Sequence, residues 1–480
     1  MELCVLHYHY RPGGVRQVIA TGLPALARAA GFTSVRLAGG EEPENAWRDE
    51  LERTLHPLPV SWVVNPALGY WSETKPERAA VEQALISLAS RDTVLWVHNL
   101  SVGRNFHLMR AAGQSAALWN ALWVHHHDWW WDGRWQRWPE MLVQGAENLT
   151  EAVKATLLSA EKVRHFTINP QDAKLLSTWY GCHFSLVENP VLPYAVTLPQ
   201  ISHAKEWLRQ LTGRETHWLY PCRMMRRKNV AEALLVQSWL APEAATITTG
   251  GASSAAELPY ARVLSAAAEQ HGWPLFAGVC AGQPDAPSVP ALIAAADAII
   301  VTSLQEGFGL PYREAAMAGR PLFARTLPCI AGATPHCPSV PVAGAWHEVP
   351  VPKDTFDSDA EISRTALARR IAASLLPTEL RMNDRVPCAR DFGSLSLPAQ
   401  IEVLEGDPVR TRPSRIFPPI RQSLSVCPAR SCSPEHWAAQ LLNSARQSAA
   451  IPSKNWAQRA PEFLSPLVLE WLRRPLLFPA

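Results

Sequence analysis

The sequence contains 480 residues, of which 47% are hydrophobic and 18% charged, and its formal net charge at pH 7 is +2. This composition is typical of a globular protein and excludes a largely disordered chain. The nearly neutral charge balance also gives no sign of a nucleic-acid-binding protein. The chain is too long for one typical hydrophobic core, so we expect two or three domains.

The first residues and the cysteines indicate where the protein resides. "MELCVLHYHY" lacks the basic segment and long apolar run of a secretory signal. No stretch approaches the roughly 18 apolar residues that a membrane-spanning helix requires. The nine cysteines are dispersed singly, which is typical of reduced thiols. We therefore expect a cytoplasmic protein without a transmembrane segment, and peripheral contact with the inner face of a membrane stays open.

From residue 2 to residue 191, short β-rich apolar runs alternate with longer runs of helical spacing. The predicted strands lie at 2–10, 35–39, 92–99, 163–169 and 183–191, with a further strand ending near 128. The predicted helices lie at 15–31, 77–90, 148–159 and 170–181, with a further helix beginning at 106. This alternation predicts an α/β unit with a mostly parallel sheet covered by helices on both faces.

The alternation stops at about 192–207, which we interpret as a connection, and then starts again. Strands are predicted at 216–223, 244–251, 274–279, 297–303 and 320–325, and helices at 229–240, 257–272, 288–296 and 309–319. The sequence therefore predicts two α/β units. Ligands of such sheets bind outside the carboxyl ends of the strands, and the cleft between two such domains is the natural site.

Beyond residue 345 the pattern is weaker. Helices are predicted at 359–376 and 433–450. The stretch 378–433 between them is rich in proline and arginine and suggests no function.

A glycine-containing turn follows the predicted strand 297–303. Gly307 and Gly309 precede a helix in which Pro311 can occupy the first turn. Such a turn lets backbone N–H groups approach an anion closely, aided by the helix dipole. The sequence "EGFGLPYRE" therefore predicts an anion site at the beginning of this helix.

Two glutamates flank that turn. Glu306 lies before it and Glu314 lies about one turn into the helix, so both can face one site. A carboxylate beside a sugar accepts hydrogen bonds from its hydroxyl groups. The alternative is that both glutamates are solvated and the glycines only turn the chain.

Positive charge is concentrated in "CRMMRRKN", after the predicted strand 216–223. Arg223 follows that strand, and Lys228 lies just before or within the first turn of the next helix, close to Arg226, Arg227 and Asn229; cations at a helix N-terminus oppose the helix dipole. A bound polyanion explains this arrangement, because a leaving diphosphate needs neutralisation by a metal or by fixed cations. A solvated basic turn is the alternative.

Gly13 and Gly14 form a second glycine turn between a strand and a helix, in "HYHYRPGGV". The turn permits close backbone approach to a ligand, although it is not a full dinucleotide-binding motif and a plain turn is the alternative.

The segment "HHHDWWW" begins with three consecutive histidines, residues 125–127. Neighbouring residues of a strand point to opposite faces, so the run alone does not predict a metal site. His127 and Asp128 lie where the strand should end, and a histidine there can contact a sugar or an acceptor. Trp130 and Trp131 can stack on a sugar, but packing is the commoner role of buried aromatic residues.

Taken together, these motifs resemble glycosyltransferase family 4, a family of retaining GT-B glycosyltransferases. Five stretches between residues 8 and 325 occur in the same order and spacing as in that family: "RPGGV", "HHD", "VENPV", "CRMMRRKN" and the E-x7-E stretch from Glu306 to Glu314. One departure is Cys222-Arg223, where the family often has Gly-Arg.

The resemblance implies a fold and a set of site residues. The fold is GT-B, with two Rossmann-like domains around a nucleotide-sugar. Glu314 would hold the ribose hydroxyls and Glu306 a hydroxyl of the donor sugar. Arg223 and Lys228 would hold the diphosphate, with the backbone N–H groups of Gly309 and Leu310 nearby.

The same resemblance completes the site from the N-terminal side. Gly14, preceded by Gly13, would approach the phosphates, and His127 would contact the sugar and stabilise the transition state. Gly307 and Phe308 would complete the donor-binding turn. The family needs neither a metal nor another cofactor.

We therefore expect an N-terminal Rossmann-like domain at 1–195 on the acceptor side and a donor domain at 205–350. A helical and proline-rich extension would follow at 351–480. The predicted activity is retaining hexosyl transfer from a nucleotide-sugar to an unidentified acceptor. The alternatives are a GT-B sugar phosphorylase or nucleotide-sugar epimerase, and a non-catalytic nucleotide-sugar-binding protein.

Overall fold

The computed structural model describes most of the chain in two compact units. The described residues are 1–181, 183–191, 195–252, 254–325, 327–331, 366–375, 391–406, 433–447 and 455–472, with 357, 360, 363, 364 and 452. The first unit comprises Met1–Leu192, Ser374–Leu380 and Arg430–Val468, and the second comprises Pro193–Ala373, Arg381–Ala429 and Leu469–Ala480. The chain segments after residue 350 are thus divided between the two units.

The first unit contains a seven-stranded parallel sheet of order β3-β2-β1-β4-β5-β6-β7. Its strands are β1 Glu2–Leu6, β2 Ser34–Gly39, β3 Val60–Val64, β4 Thr93–His98, β5 Ala121–His126, β6 Val163–Thr167 and β7 Ser185–Leu186. This is the doubly wound strand order of Rossmann folds. The central strands β1 and β4 are almost entirely buried, as expected for a parallel sheet with covered faces.

Helices connect these parallel strands. In the first unit they are α1 Gly14–Ala30, α2 Asn45–Leu55, α3 Trp71–Thr74, α4 Arg78–Ile86, α5 Phe106–Gln114, α6 Arg137–Val143, α7 Leu149–Thr156 and α8 Pro170–Tyr180. Asparagine caps several of them: the side chains of Asn105, Asn148 and Asn169 accept backbone hydrogen bonds at the beginning of α5, α7 and α8.

The second unit contains a five-stranded parallel sheet of order β10-β9-β8-β11-β12. Its strands are β8 His217–Met224, β9 Ala245–Ala252, β10 Leu275–Phe276, β11 Ala298–Val301 and β12 Leu322–Ala324. Its helices are α9 Leu198–Thr212, α10 Val230–Leu240, α11 Leu258–His271, α12 Val289–Ala295, α13 Leu310–Met317, α14 Pro328–Ala331, most of α15 Ala366–Leu375, and α16 Leu397–Glu405. The strand order again matches a Rossmann-like sheet. The predicted fold class, two Rossmann-like α/β units, is confirmed.

Two further helices follow near the end of the chain, α17 Pro434–Arg446 and α18 Ala460–Leu472. Helix α17 belongs to the first unit and packs on α1. Trp437 of α17 is fully buried in the same hydrophobic core as Trp96 of β4. Gly22 of α1 provides the space for its indole ring, because a Cβ atom at residue 22 would lie 2.4 Å from that ring.

One sequence interpretation needs correction, and two segments to which no element was assigned contain helices or strands. The segment interpreted as a connection contains α9, which begins with a complete capping box between Thr197 and Gln200. The sequence analysis also assigned no element to 40–76, where α2 and β3 lie. Helix α16 lies inside the proline-rich stretch 378–433, much of which is outside the described residues.

Among the helices of the described segments, none combines the length and apolar composition required to cross a bilayer.

The contact between α1 and α17 gives a first prediction. Gly22→Ala should lower the free energy of unfolding by about 1–3 kcal/mol, because the added methyl group overpacks a rigid indole. Urea denaturation followed by fluorescence and circular dichroism measures this loss. In a Trp437→Leu background, which removes the ring, the same substitution should have a clearly smaller effect. Equal losses in both backgrounds would show that Trp437 is not the group that the methyl group meets.

Candidate functional site

The cationic turn of the second unit lies at the carboxyl end of β8. A short 3-10 turn, Arg226–Lys228, follows the strand, and Asn229 then adopts the left-handed conformation with φ 50° before α10 begins. Asparagine tolerates this conformation better than most residues. Lys228 is only 7% exposed, so the turn carries a largely buried positive charge rather than a solvated one.

The loop after β11 brings a negative charge to Lys228. Strands β8 and β11 are adjacent and parallel, so their carboxyl ends lie side by side. The ammonium group of Lys228 donates a hydrogen bond to Oε1 of Glu306, and Nη1 of Arg227 lies 3.4 Å from Oε2 of Glu306. The hydroxyl of Ser303 donates to Oε1 of Glu306 at 2.6 Å. Two residues predicted from separate motifs thus meet in one buried pair.

The pair determines the protonation of both groups. Burial raises the pKa of Glu306, but the charges of Lys228 and Arg227 and the hydrogen bonds outweigh it, so its pKa is below the ordinary 4.5. Burial lowers the pKa of Lys228, although Glu306 acts in the opposite direction. Glu306 is therefore a carboxylate at neutral pH.

The glycine turn leads into α13 as the sequence predicts. Gly309 has φ 74°, a left-handed conformation, and a Cβ atom there would lie 2.9 Å from Ile330. Glycine is thus required on both conformational and steric grounds. Leu310 is the first residue of α13, and Gly307 lies in the loop before it. Phe308 is buried, with the guanidinium group of Arg313 4.2 Å from its ring centroid.

Glu314 lies within α13 and is partly buried. Burial raises its pKa above the ordinary 4.5, and the charge of Lys228 opposes that shift. Glu314 thus lies within electrostatic reach of the Lys228–Glu306 pair.

The other arginines of the turn differ from one another. Nη2 of Arg226 lies 3.3 Å from Oε1 of Glu257, and the two side chains form an ion pair. Arg223, at the end of β8, is exposed. A Cβ atom at Gly250 of the adjacent β9 would lie 2.6 Å from Cγ of Arg223, so glycine leaves room for the arginine side chain.

A buried network that the sequence analysis missed supports the cationic turn. Arg325 forms a two-bond ion pair with the fully buried Glu232, at 2.7 and 2.8 Å, and also pairs with Asp391. The amide of Asn229 donates to Glu232, and its carbonyl oxygen accepts from Gln400 at 2.9 Å. Arg325 and Gln400 lie far from Glu232 and Asn229 in the chain, and no local motif marks these contacts.

This network gives a second prediction. Arg325→Met should lower the free energy of unfolding by about 3–5 kcal/mol, because it leaves the carboxylate of Glu232 buried without its main partner. The double variant Arg325→Met/Glu232→Met should be more stable than the single variant, since it removes both charges. Urea denaturation of the three proteins measures the difference, and a double variant less stable than the single would contradict a dominant ion pair.

In the first unit, Gly13 and Gly14 stand at the beginning of α1. Gly13 is extended, with φ 167°, and the space next to Gly14 is open. The neighbouring Arg11 forms ion pairs with Glu41 at 2.5 Å and Glu73 at 3.1 Å. The protein's own packing therefore does not require glycine at residue 14.

The histidine run alternates as strand geometry predicts. His125 and His127 stack on each other, with ring centroids 4.6 Å apart. His126 points to the other face, where its Nε2 lies 2.9 Å from Nδ1 of His165. The sequence analysis missed that His98, on the neighbouring β4, belongs to the first group: its Nδ1 is 3.0 Å from Nε2 of His127.

His127 is a neutral imidazole at neutral pH. Burial lowers its pKa to about 3, and only Asp128 acts strongly in the opposite direction. A neutral imidazole can donate and accept a hydrogen bond, which suits contact with hydroxyl groups.

Asp128 anchors the segment that follows β5. Its carboxylate pairs with Arg134 at 2.7 Å and accepts from the amide of Asn99 at 3.3 Å. Its backbone N–H donates to Asn99, and its carbonyl oxygen accepts from Ser101. Asn99 and Ser101, which follow β4, thus hold the segment after His127 in place.

The tryptophans after Asp128 pack inside the first unit. Trp130 is fully buried and donates from its indole to Thr156 at 2.9 Å. Trp131 packs edge-on against Phe463 of α18. Trp129 donates to Asp172 of α8 at 2.8 Å. Packing, the commoner role, describes Trp130 and Trp131.

Asp172 gives a third prediction, on pH dependence. Burial and the nearby Asp132 raise its pKa from 3.8 to about 6, and Asp128 adds to the effect. The folded protein therefore takes up this proton more readily than the unfolded chain, so this stabilising contribution declines as the pH rises towards 6. Asp172→Asn should gain stability relative to the wild type as the pH rises from 3.8 to about 6, between the unfolded and folded pKa values of Asp172, and the difference should level off above that interval.

Urea denaturation at several pH values measures that difference. The exposed Asp49→Asn on α2 is the matched control, which should run parallel to the wild type. If the Asp172→Asn curve also ran parallel, the raised pKa of Asp172 would be contradicted.

The sequence was compared with known proteins. No protein-family model matches it. It is 24% identical over 352 residues to mannosylglucosyl-3-phosphoglycerate synthase of Petrotoga mobilis. The match covers 68% of this chain and 66% of that relative, which is slightly less than two thirds of the relative's length.

Solved structures also resemble the chain. Anabaena Alr3699/HepE in complex with UDP and glucose gives a TM-score of 0.47 at 19% identity, covering 69% of this chain and 82% of that one. WaaG, a glycosyltransferase involved in lipopolysaccharide biosynthesis, gives 0.45 at 15% identity over 70% and 85%. The catalytic domain of starch synthase IV from Arabidopsis thaliana, bound to ADP and acarbose, gives 0.48 at 12% identity over 97% and 99%. The strand orders, rather than these overlaps, define the architecture described above.

Proposed function

We propose that the protein is a GT-B glycosyltransferase similar to glycosyltransferase family 4, which transfers a hexose from a nucleotide-sugar with retention of anomeric configuration. The observation that carries this proposal is the buried contact of Lys228 with Glu306 at the carboxyl ends of β8 and β11. The relative from Petrotoga mobilis is named as a synthase of a glycosylated phosphoglycerate, which agrees with sugar transfer.

The charges suit a diphosphate leaving group. Lys228 and Arg227 present two cations beside one carboxylate, so a net positive charge is available to donor phosphates. The exposed guanidinium group of Arg223 lies at the end of the same strand. The first N–H groups of α13, at Gly309 and Leu310, add the positive end of a helix dipole. Fixed cations can thus neutralise the charge that develops on the departing diphosphate, without a metal.

The carboxylates suit the hydroxyl groups of the donor. Glu306 stays ionised because its cationic partners lower its pKa, so it can accept hydrogen bonds from the sugar. We propose that Glu314, which lies within α13, accepts hydrogen bonds from the ribose hydroxyls.

The first unit supplies the remaining groups in this proposal. The open space beside Gly14 admits a phosphate close to the backbone at the beginning of α1. His127, held neutral by burial, would contact the donor sugar at the reacting carbon. The acceptor would attack from the face that the diphosphate leaves, and the diphosphate oxygen would take up the proton of the acceptor hydroxyl. We further propose a cytoplasmic location, because the cysteines are dispersed as in reduced proteins.

The donor assignment gives a fourth prediction. In a thermal-shift screen of UDP-, GDP-, ADP- and CMP-sugars, the sugars of one nucleotide should raise the melting temperature of the full chain, because a ligand of the folded state stabilises it by mass action. With that donor, Lys228→Ala and Glu306→Gln should each lower the transfer rate by on the order of 100-fold.

The matched control is Arg262→Ala, at an exposed position of α11 in the same unit, which should leave transfer unchanged. Circular dichroism verifies that each variant is folded. Donor-induced stabilisation without turnover across a broad acceptor panel would indicate a binding protein instead. A phosphate-dependent reaction without an acceptor glycan would indicate a phosphorylase. Unchanged transfer in both site variants would overturn the assignment.

A further inference from the structure

Three histidines of the first unit converge beside the end of β5. His98 and His125 are register partners on the adjacent strands β4 and β5, and His127 follows on the same face as His125. One ring nitrogen from each lies within 4.8 Å of the others. All three side chains are at most 5% exposed. We call His98, His125 and His127 the histidine cluster.

The cluster contains polar atoms without partners in the described part of the chain. Nε2 of His98 and both ring nitrogens of His125 are buried and reach no hydrogen-bond geometry there. The backbone of Val187 lies close enough to interact with the ring of His125, but the two do not form a hydrogen bond of standard geometry. Buried polar atoms are almost always paired, so unpaired ones call for a water, an ion or another ligand.

The chemistry of the cluster favours a metal cation among these ligands. Each of the three side chains presents an imidazole nitrogen to the same small volume, with the three nitrogens within 4.8 Å of one another. Neutral imidazoles are ligands of zinc and similar d-block cations, whereas magnesium and calcium prefer oxygen. None of the three cluster members is a carboxylate, so the cluster itself lacks the oxygen ligands that magnesium and calcium prefer.

We propose that His98, His125 and His127 form a binding site for a divalent d-block cation, with Zn²⁺ as the best match. Three histidines leave a fourth position of a tetrahedral site open. The ring planes are 16–21° from parallel, so the rings must turn about their side-chain bonds to direct the nitrogens to one ion. Among the described residues, the one group that interacts with the ring of His125 in a way that opposes this rotation is the backbone of Val187.

Asp128 follows His127 directly in the chain, and its carboxylate pairs with Arg134 at 2.7 Å. Because His127 belongs to the proposed donor site, bound zinc should compete with the donor sugar. This consequence rests on the proposed function, whereas the metal site itself does not.

The test is zinc binding by the full chain after removal of metals with a chelator. Competition with a chromophoric zinc indicator should show one tight equivalent in the wild type. His125→Gln should lose that equivalent or weaken it by at least about 10-fold. The matched control is His126→Gln, which changes a buried histidine of the same strand on the opposite face and should keep the tight equivalent.

Cobalt provides a second readout that needs no variant. Co²⁺ bound to the wild type should give the visible bands of a tetrahedral nitrogen-ligated ion without a thiolate charge-transfer band, which separates the cluster from the nine cysteines. Absence of a tight equivalent in the wild type would overturn the proposal, as would equal losses in His125→Gln and His126→Gln. If zinc binds and no sugar transfer is found, the proposed function fails and the metal site stands.

Discussion

The second unit depends on one constraint: the ammonium group of Lys228 is removed from water and must be balanced there. Glu306 supplies that balance, and its carboxylate also accepts a hydrogen bond from Ser303 and pairs with Arg227. A buried charge that lost its partner would cost several kcal/mol, about 3–5, so the loop after β11 and the turn after β8 are held together. The network of Arg325, Glu232 and Gln400 stabilises the same turn, because Gln400 donates a hydrogen bond to the side chain of Asn229.

In both sheets, the polar residues of the candidate site lie close to the point where the strand order reverses. The strand order reverses direction beside β1 in the first unit and beside β8 in the second, and the polar residues of interest follow those strands or their neighbours. Burial on both faces makes these strands largely apolar, and the polar side chains of interest lie near their carboxyl ends: His98 is the last residue of β4, and His125 and His126 are the last two of β5. This explains why functional candidates in such a chain can be read from strand ends.

The sequence therefore predicted much of the fold and the members of the donor turn. Alternating runs identified most strands and helices, and the glycine at residue 309 is required by its positive φ. Contacts between distant segments could not be predicted from the sequence, because the order of the strands in the sheet decides which segments meet. Lys228 and Glu306 are 78 positions apart, and Gln400 and Asn229 are 171 positions apart. His98 joined the histidine cluster for the same reason. The capping box of Thr197 and Gln200, by contrast, is a local sequence pattern that could have predicted the beginning of α9.

The packing of α17 on α1 has a consequence for synthesis on the ribosome. Trp437 fills the space beside Gly22, and with Ala438 and Leu441 it completes a core whose other buried members lie between Leu3 and Val187. The N-terminal unit emerges first, but this part of its interior is completed only when residues near the end of the chain have been made. A nascent chain would thus carry an exposed apolar groove throughout translation of the second unit, a surface on which chaperones bind or on which aggregation begins.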